Sequence, residues 1–471
     1  MCGIYGVLAN KSSNYNSNFL QTLTKSLALY SESRGKDSSG ICVLNNENFE
    51  IYKGSIRSKD LIDNIKVKKS LKENFSKSNK QIKCAFGHAR LVTNGTQLKN
   101  ENNQPVIKDK IITIHNGIIV NSEKIWKENK SIQRLYDIDT EIIPSLIRSN
   151  LNKGLSSVES LIEVFKNIEG TASLAIAFQD LSKFILATNN GSLYYITNKK
   201  RDILIFASEN SFLAKLISKH NLKNKISDIS VNKLMPRQII EISFKNFQIS
   251  KFHFDKSVNC FDNKFDLKKN IKLKIFNSNK YKKSIVQDLN KLHLSKRAKK
   301  DKKLLIYPIE KIKLLKRCKR CVLPETFPYI KFDSKGVCNY CNNYSKKNRP
   351  KSLNELKKLV EPYRSKSGKP DCIVPFSGGR DSMYTLHIIK KELNLNPIAL
   401  TYDWGMVTDL ARRNIARICG KLEIENIIVA ADIKWKRDNI NKNISAWLKN
   451  PDLGMIPLFM AGDKYFFYYT S

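Results

Sequence analysis

The stretch that most constrains this chain is Pro375-Phe376-Ser377-Gly378-Gly379-Arg380-Asp381-Ser382. The apolar run Asp371 to Phe376 leads into it and reads as a buried parallel strand. After it, Met383, Leu386, Ile389 and Leu393 recur at helical spacing. A strand, a Gly-Gly turn and a helix start make a cradle for phosphate: the glycines let the backbone approach an oxyanion, and the first helical N–H groups point at it with partial positive charge. Ser377 and Ser382 add hydroxyl donors. The spacing is not that of a Walker loop, which needs four residues between its glycines and then Lys-Ser/Thr.

The pattern SGGxDS resembles that of the PP-loop ATP pyrophosphatases, which split ATP between its α and β phosphates to adenylate a substrate oxygen. The resemblance implies that Ser377, Gly378, Gly379, Asp381 and Ser382 hold ATP, with Mg2+ bridging its phosphates. Further along, Pro397 to Tyr402 and Asn426 to Ala430 read as strands, and Thr408 to Lys421 and Asp438 to Leu448 as helices. Parallel sheets place ligands at the C-terminal ends of their strands. Tyr402 and Asp403 are therefore candidates for contact with adenosine, a helix-capping role for Asp403 being equally open, and Ala430 to Asp432 and Lys464 are further candidates. Residues 365–471 are read as this parallel α/β domain. Only three strands are legible before the apolar ending Tyr465 to Tyr469, so the domain is expected to be truncated.

At the other end, Cys2 becomes the first residue if Met1 is removed, which its small neighbour permits. A terminal cysteine carries its own base, because an α-amino group of pKa roughly 7.7–8.0 can take the thiol proton near neutrality. Its companions are Arg34-Gly35-Lys36-Asp37-Ser38-Ser39-Gly40, Gly87-His88-Ala89-Arg90-Leu91-Val92-Thr93, Asn103-Gln104-Pro105, His115-Asn116-Gly117 and Asp139-Thr140-Glu141. Their order and spacing are similar to the class II, N-terminal nucleophile, glutamine amidotransferases over residues 1–245. The resemblance implies an α/β/β/α sandwich that hydrolyses glutamine to glutamate and ammonia. Cys2 would attack the side-chain amide, and the Asn116 side chain with the Gly117 N–H would hold the oxyanion. Arg90, with Thr93 nearby, would take the α-carboxylate, and Asp139 the α-ammonium. Lys36 departs from the family, where proline is frequent.

Between these ends, residues 246–316 read as a basic linker with an isolated thiol at Cys260. Cys318-x2-Cys321 and Cys338-x2-Cys341 then have tetrathiolate spacing, each pair aiming two sulfurs at one cation. Zinc in a small ribbon-like knuckle, residues 317–345, is the favoured occupant, with a redox pair or an iron–sulfur cluster as alternatives. The surrounding residues resemble the start of the N-acetyl sugar amidotransferases of surface-polysaccharide (lipopolysaccharide) biosynthesis, where such a stretch precedes a PP-loop domain.

The net charge of +40 would suit a nucleic-acid binder, but Lys, Asn, Ile and Ser recur everywhere, including on faces that read as ordinary solvated surface. Nucleic acid is therefore not expected, even for the dense run Lys296 to Lys303. The beginning Met1-Cys2-Gly3-Ile4 lacks a signal-peptide pattern, so a cytoplasmic location is expected. Together the motifs predict an α/β protein that makes ammonia from glutamine and uses ATP to activate its acceptor, an asparagine-synthetase-like architecture. The predicted acceptor is a nucleotide-linked N-acetyl sugar. Amidation of a carboxylate is the alternative, and a PP-loop tRNA-modifying enzyme a weaker one, since sulfur transfer has no use for a glutaminase. Self-association as a homo-oligomer stays open.

Overall fold

The computed structural model describes residues 2–45, 48–76, 82–255, 271–278, 308–345, 352–366, 368–405, 407–449 and 468–470. Met1, Cys260, Lys464 and the run 296–303 lie outside the described residues. The chain divides into two compact units: residues 1–280 with 365–430, and residues 281–364 with 431–469.

In the first unit, two sheets stack face to face. One has eight strands: β1 (Gly3–Ala9), β2 (Ser38–Asn45), β3 (Asn48–Gly54), β4 (Lys83–Arg90), β9 (Tyr194–Thr197), β10 (Ile203–Ala207), β11 (Ser230–Lys233) and β14 (Lys272–Asn277), in the order β11-β9-β10-β1-β4-β2-β3-β14. The other has six: β5 (Val106–Lys108), β6 (Ile111–Ile119), β7 (Gly170–Phe178), β8 (Lys183–Thr188), β12 (Gln238–Ser243) and β13 (Ile249–His253), in the order β13-β12-β8-β7-β6-β5.

Strand periodicity explains the layering. Successive side chains point to opposite faces, and in β1 Ile4 and Leu8 enter the core between the sheets while Tyr5, Val7 and Ala9 enter the core beneath the helix Ser17–Ser31. In β6, Ile112 and Ile114 face the inter-sheet core; Ile111 and Ile119 face the helices Ile142–Asn152 and Ser157–Asn167. Both strands are covered on two sides, so apolar residues occupy both of their faces, with Thr113, His115 and Asn116 the polar exceptions in β6. The result is a helix–sheet–sheet–helix stack. Phe184 links its centre, meeting Phe86 edge-on at 5.2 Å and Phe206 at 5.9 Å between ring centroids.

The segment 246–316, expected to be linker, instead supplies an edge strand to each sheet. β13 pairs with β12, and β14 pairs in parallel with β3. The physical reason is a modest apolar contribution: Ile271 and Leu273 pack on the inter-sheet core, and Phe276 stacks on Tyr52 at 4.6 Å.

The same unit holds a parallel three-stranded sheet, β15 (Cys372–Pro375), β16 (Pro397–Asp403) and β17 (Glu425–Ala430), in that order. Val374, Phe376, Leu386, Ala399, Ile415 and Cys419 form its core with the helices Arg380–His387 and Asp409–Lys421. Ala416 of the second helix packs on Ile118 and Val120, just beyond Gly117. Gly420 lies so close to β7 that a Cβ there would meet the Gly170 carbonyl at 2.0 Å. Glu425, buried, accepts hydrogen bonds from Tyr194 and from Lys233 at 2.7 Å.

The second unit contains the four cysteines, the helix Leu353–Val360 and the helix Ile433–Lys449. Among the described residues, no helix is long and apolar enough to cross a membrane.

Candidate active site

Cys2 sits at the mouth of β1, where Gly3 pairs with Ala89 of β4, and is 5% exposed. Its thiol donates to the Leu91 carbonyl at 3.6 Å. Burial pushes the thiol pKa up; the neighbouring Arg90 guanidinium opposes that and the Asp139 carboxylate adds to it. The thiol is therefore protonated at rest and needs a base before it can attack.

Asn116 and Gly117 lie in β6, opposite Ser173 and Ala172 of β7. The Asn116 side chain is buried, and neither its nitrogen nor its oxygen has a hydrogen-bond partner among the described residues. A buried amide left unpaired costs stability. Gly117 cannot be otherwise: a Cβ would lie 1.8 Å from the Thr171 carbonyl. The preceding residue is fixed on every side. His115 N–H donates to Gln104 Oε1 at 2.6 Å, its ring nitrogens lie 3.1 Å from Thr140 Oγ1 and 3.2 Å from the Thr171 carbonyl, and its own carbonyl accepts from Gln104 Nε2 at 3.2 Å. Burial holds both His115 and His88 below the ordinary imidazole pKa, which keeps them neutral.

Arg90 ends β4, 2% exposed, with Nη1 donating to Asn103 Oδ1 at 3.1 Å and Nη2 to the carbonyls of Asn94 and Gly95. Thr93, half-buried, lies in the loop that follows, which Asp37 pins by accepting from the Val92 N–H at 2.8 Å. Asp139 accepts from the Ile119 N–H at 2.8 Å and the Thr140 N–H at 3.0 Å, one bond per oxygen, so each oxygen keeps a further acceptor position. Arg90 and Asp139 both act electrostatically on Cys2. The structure thus gathers a thiol, a guanidinium and a carboxylate, with the unpaired amide of Asn116 on β6 of the facing sheet.

The Gly-Gly turn is a second candidate site. Ser377 and Ser382 hydroxyls lie 3.2 Å apart, and Ser382 donates to the Gly379 carbonyl at 2.9 Å. Gly378 has φ +77°, a conformation glycine adopts freely, with Ala411 and Ile415 packed against it. Gly379 is the N-cap of the helix Arg380–His387 and donates its own N–H to Ser377 Oγ at 3.4 Å, and Ser377, Gly379 and Asp381 are exposed. That open helix start fits an oxyanion. Tyr402 and Asp403 end β16, both buried; Asp403 faces Arg412 at 2.7 Å and accepts from the Gly405 N–H at 2.9 Å.

Cys318, Cys321, Cys338 and Cys341 bring their sulfurs within 4.8 Å of one another. Four thiolates around zinc at about 2.3 Å would stand about 3.8 Å apart, and Cys321–Cys338 at 3.5 Å and Cys318–Cys341 at 3.9 Å bracket that value. The N–H groups of Arg320, Cys321 and Cys338 all point at Cys318 Sγ, 3.3–3.5 Å away, as an anionic sulfur would want. The donor set fits a tetrahedral soft-metal site.

Three features here were not assigned from sequence. Arg412 neutralises Asp403 from nine positions away, with no local signal. The Arg34–Glu209 pair at 2.5 Å joins the Arg34–Gly40 motif to a carboxylate 175 positions further on, a pairing no spacing predicts. Lys53, in β3, looks like an ordinary strand lysine but is buried against the Asn103–Pro105 turn.

Comparison with known proteins follows the same lines. Residues 88–215 match a family described as "Glutamine amidotransferase domain". A glutamine–fructose-6-phosphate aminotransferase (isomerizing) from Bartonella quintana is 29% identical over 195 residues, 41% of this chain and 29% of that protein. A 7-cyano-7-deazaguanine synthase from Sulfolobus acidocaldarius is 25% identical over 210 residues, 44% of this chain and 43% of that protein. The matched stretch covers less than half the length of either relative. Among solved structures, the B. subtilis glutamine phosphoribosylpyrophosphate amidotransferase complexed with ADP and GMP aligns with TM-score 0.41 and 19% identity, over 55% of this chain and 50% of that one.

Proposed function

We propose, from the premise that this chain carries a class II glutamine amidotransferase domain, that it hydrolyses glutamine at Cys2 and passes the ammonia to an acceptor activated by ATP at the Ser377–Ser382 turn. The observation that carries the first half is the unpaired, buried Asn116 amide in β6, a strand of the sheet that faces the one bearing Cys2. In this reading the α-amino group of a processed Cys2 takes the thiol proton, directly or through water. Sulfur attacks the amide carbon, and the oxyanion is met by Asn116 Nδ2 and the Gly117 N–H, groups already fixed in β6. Arg90 and Asp139 hold the substrate's α-carboxylate and α-ammonium; Thr93 closes the carboxylate side.

The second half rests on the open helix start after Gly379. Its N–H groups and the hydroxyls of Ser377 and Ser382 would cradle ATP phosphates, with Gly378 giving close approach and Asp381 facing solvent at the same turn. Mg2+ would supply charge neutralisation for the phosphates. Tyr402 and Asp403 close the strand end where adenosine would lie, Asp403 acting through its hold on Arg412. The acceptor oxygen takes the AMP group as pyrophosphate leaves; ammonia then adds at the carbon and AMP departs with the oxygen.

The acceptor we favour is the acetamido group of a nucleotide-linked N-acetyl sugar, giving an acetamidino group during surface-polysaccharide assembly. Cys318, Cys321, Cys338 and Cys341 would hold structural zinc. ATP and reduced thiols coexist in the cytoplasm, where this chemistry belongs. Amidation of a carboxylate is the second reading, favoured by the match to a synthase whose product bears a cyano nitrogen. The test is incubation of the protein with glutamine, ATP, Mg2+ and a panel of N-acetylated nucleotide sugars, with mass spectrometry. Replacing oxygen by NH lowers the mass by about one unit, a consequence of the acyl-transfer chemistry. Glutamate release with no mass change in any sugar would redirect the search to carboxylates. No glutamate release from folded protein with a free Cys2 amine would sink the whole reading.

A further inference from the structure

Lys53 is 4% exposed, yet it carries an ammonium on a strand with no acidic partner in bonding distance among the described residues. Its Nζ donates instead to two backbone carbonyls, Asn103 at 2.7 Å and Pro105 at 2.9 Å. Burial draws its pKa down to about 7, with the Glu101 carboxylate opposing and the Arg90 guanidinium reinforcing that shift; across the strand, β14 sets the neutral Asn277 against it. Near neutral pH the amine is therefore charged only in part, and in either form its N–H groups can donate to the two carbonyls.

What it holds is the hub of the glutamine site. The two carbonyls flank Gln104, whose side chain takes the His115 N–H and donates to the His115 carbonyl and to Thr140 Oγ1 at 3.3 Å. Thr140 in turn donates its N–H to Asp139. Asn103, on the other side, accepts from Arg90. The turn also lies flat on the β2–β3 pair. Gly40, opposite Lys53 in register, has no room for a Cβ, which would meet the Gln104 carbonyl at 2.1 Å and Lys53 Cβ at 2.9 Å. One residue without a side chain and one buried ammonium therefore fix the turn from which both ends of the substrate site are braced.

We propose that Lys53 is a positioning residue of the glutamine site, clamping Asn103 to Pro105 so that Arg90 and Asp139 keep the spacing of glutamine's α-carboxylate and α-ammonium. This rests on the reading of Cys2 as a glutaminase nucleophile. Arg90 meets the turn directly through Asn103, whereas Asn116 meets it only through the neighbouring His115 and is otherwise held by the pairing of β6 with β7. Loss of the clamp therefore weakens substrate binding more than the chemical step.

The test compares steady-state glutaminase kinetics of wild type and Lys53→Met. We expect KM for glutamine to rise at least tenfold with kcat within threefold. In Asn103→Ala, which already lacks the link to Arg90, adding Lys53→Met should raise KM by less than threefold more. An unchanged KM in folded Lys53→Met, a fall in kcat as large as the rise in KM, or full additivity with Asn103→Ala would each overturn the proposal. If Lys53→Met does not fold, Lys53→Gln, which keeps N–H donors without the charge, replaces it with an expected KM rise of about threefold; an unchanged KM there has the same force. Wild-type protein that fails to hydrolyse glutamine would instead count against the glutaminase reading itself.

Discussion

Replacing Asn116 with alanine separates function from stability, because the two effects run in opposite directions. In the free protein the amide makes no hydrogen bond among the described residues, so its removal leaves no native partner stranded. An unsatisfied buried polar group costs about 1–3 kcal/mol. Truncation removes that penalty but also the packing contacts of the side chain, and the two terms are of similar size. The expected net effect is between zero and about 1 kcal/mol of stabilisation, or a rise of up to ~4 °C in melting temperature for a domain of this size. Catalysis pays the opposite price: losing one preorganised oxyanion donor costs about 10²–10³ in kcat, roughly 2.7–4 kcal/mol of transition-state stabilisation. KM should move little, since the ground-state carbonyl is a weaker acceptor than the oxyanion. The assay is glutamate release under saturating glutamine beside a thermal melt of the same preparation. A variant that melts more than about 5 °C lower while keeping kcat within tenfold would refute the reasoning, for the amide would then be a structural prop.

Cys2→Ala should abolish glutamine hydrolysis, leave the melting temperature within about 2 °C, and lose the covalent adduct that a glutamine-like electrophile leaves on the wild-type thiol; an adduct that persists would place the nucleophile elsewhere. His88 and His115 are neutral in the fold because burial depresses their pKa values, so the unfolded chain binds more protons below its imidazole pKa of about 6.5. The stability they allow is complete above that pH and is lost as pH falls toward their folded pKa values; melts of wild type should drop from pH 7 to 5, and the slope should be shallower in His88→Gln, an equal slope counting against the argument. Freshly purified protein should carry one zinc per chain by elemental analysis and Cys338→Ser markedly less, whereas full occupancy in that variant would exclude the cysteine site. Glu425→Ala removes the buried acceptor of Tyr194 and Lys233 and should cost about 2 kcal/mol, measured in urea, with Glu425→Gln costing less.

Fold and sequence agree where the physics is local. β1 and the Ala172–Phe178 part of β7 are largely apolar because cores press on both of their faces, and such runs are legible without coordinates. The helix Asp409–Lys421 and its cap Thr408, which accepts from the Ala411 N–H, follow from capping chemistry alone. β13 and β14 were not legible. Their burial is partial and their sequences basic, so composition outweighed periodicity, and only the presence of open sheet edges turns them into strands.

The candidate site divides on the same principle, with distance along the chain as the deciding variable. Cys2, Arg90, Asn116 and Asp139 each stand in a short motif whose chemistry can be read in place; the structure brings Arg90 and Asp139 within electrostatic reach of Cys2 and sets Asn116 in β6 of the facing sheet. The residues that make the site rigid carry no such mark. Lys53 acts on carbonyls fifty residues away, and those carbonyls belong to a turn whose side chains serve two other strands. Asp403 looked free to meet a nucleotide because nothing nearby in sequence neutralises it; Arg412 does so only once a helix has folded back onto the end of β16. A reacting group must be chemically distinctive, and that distinctiveness survives in one dimension. A supporting group need only be long enough and charged enough to reach, which any of the 83 lysines and arginines could satisfy, so its role exists only in the folded chain.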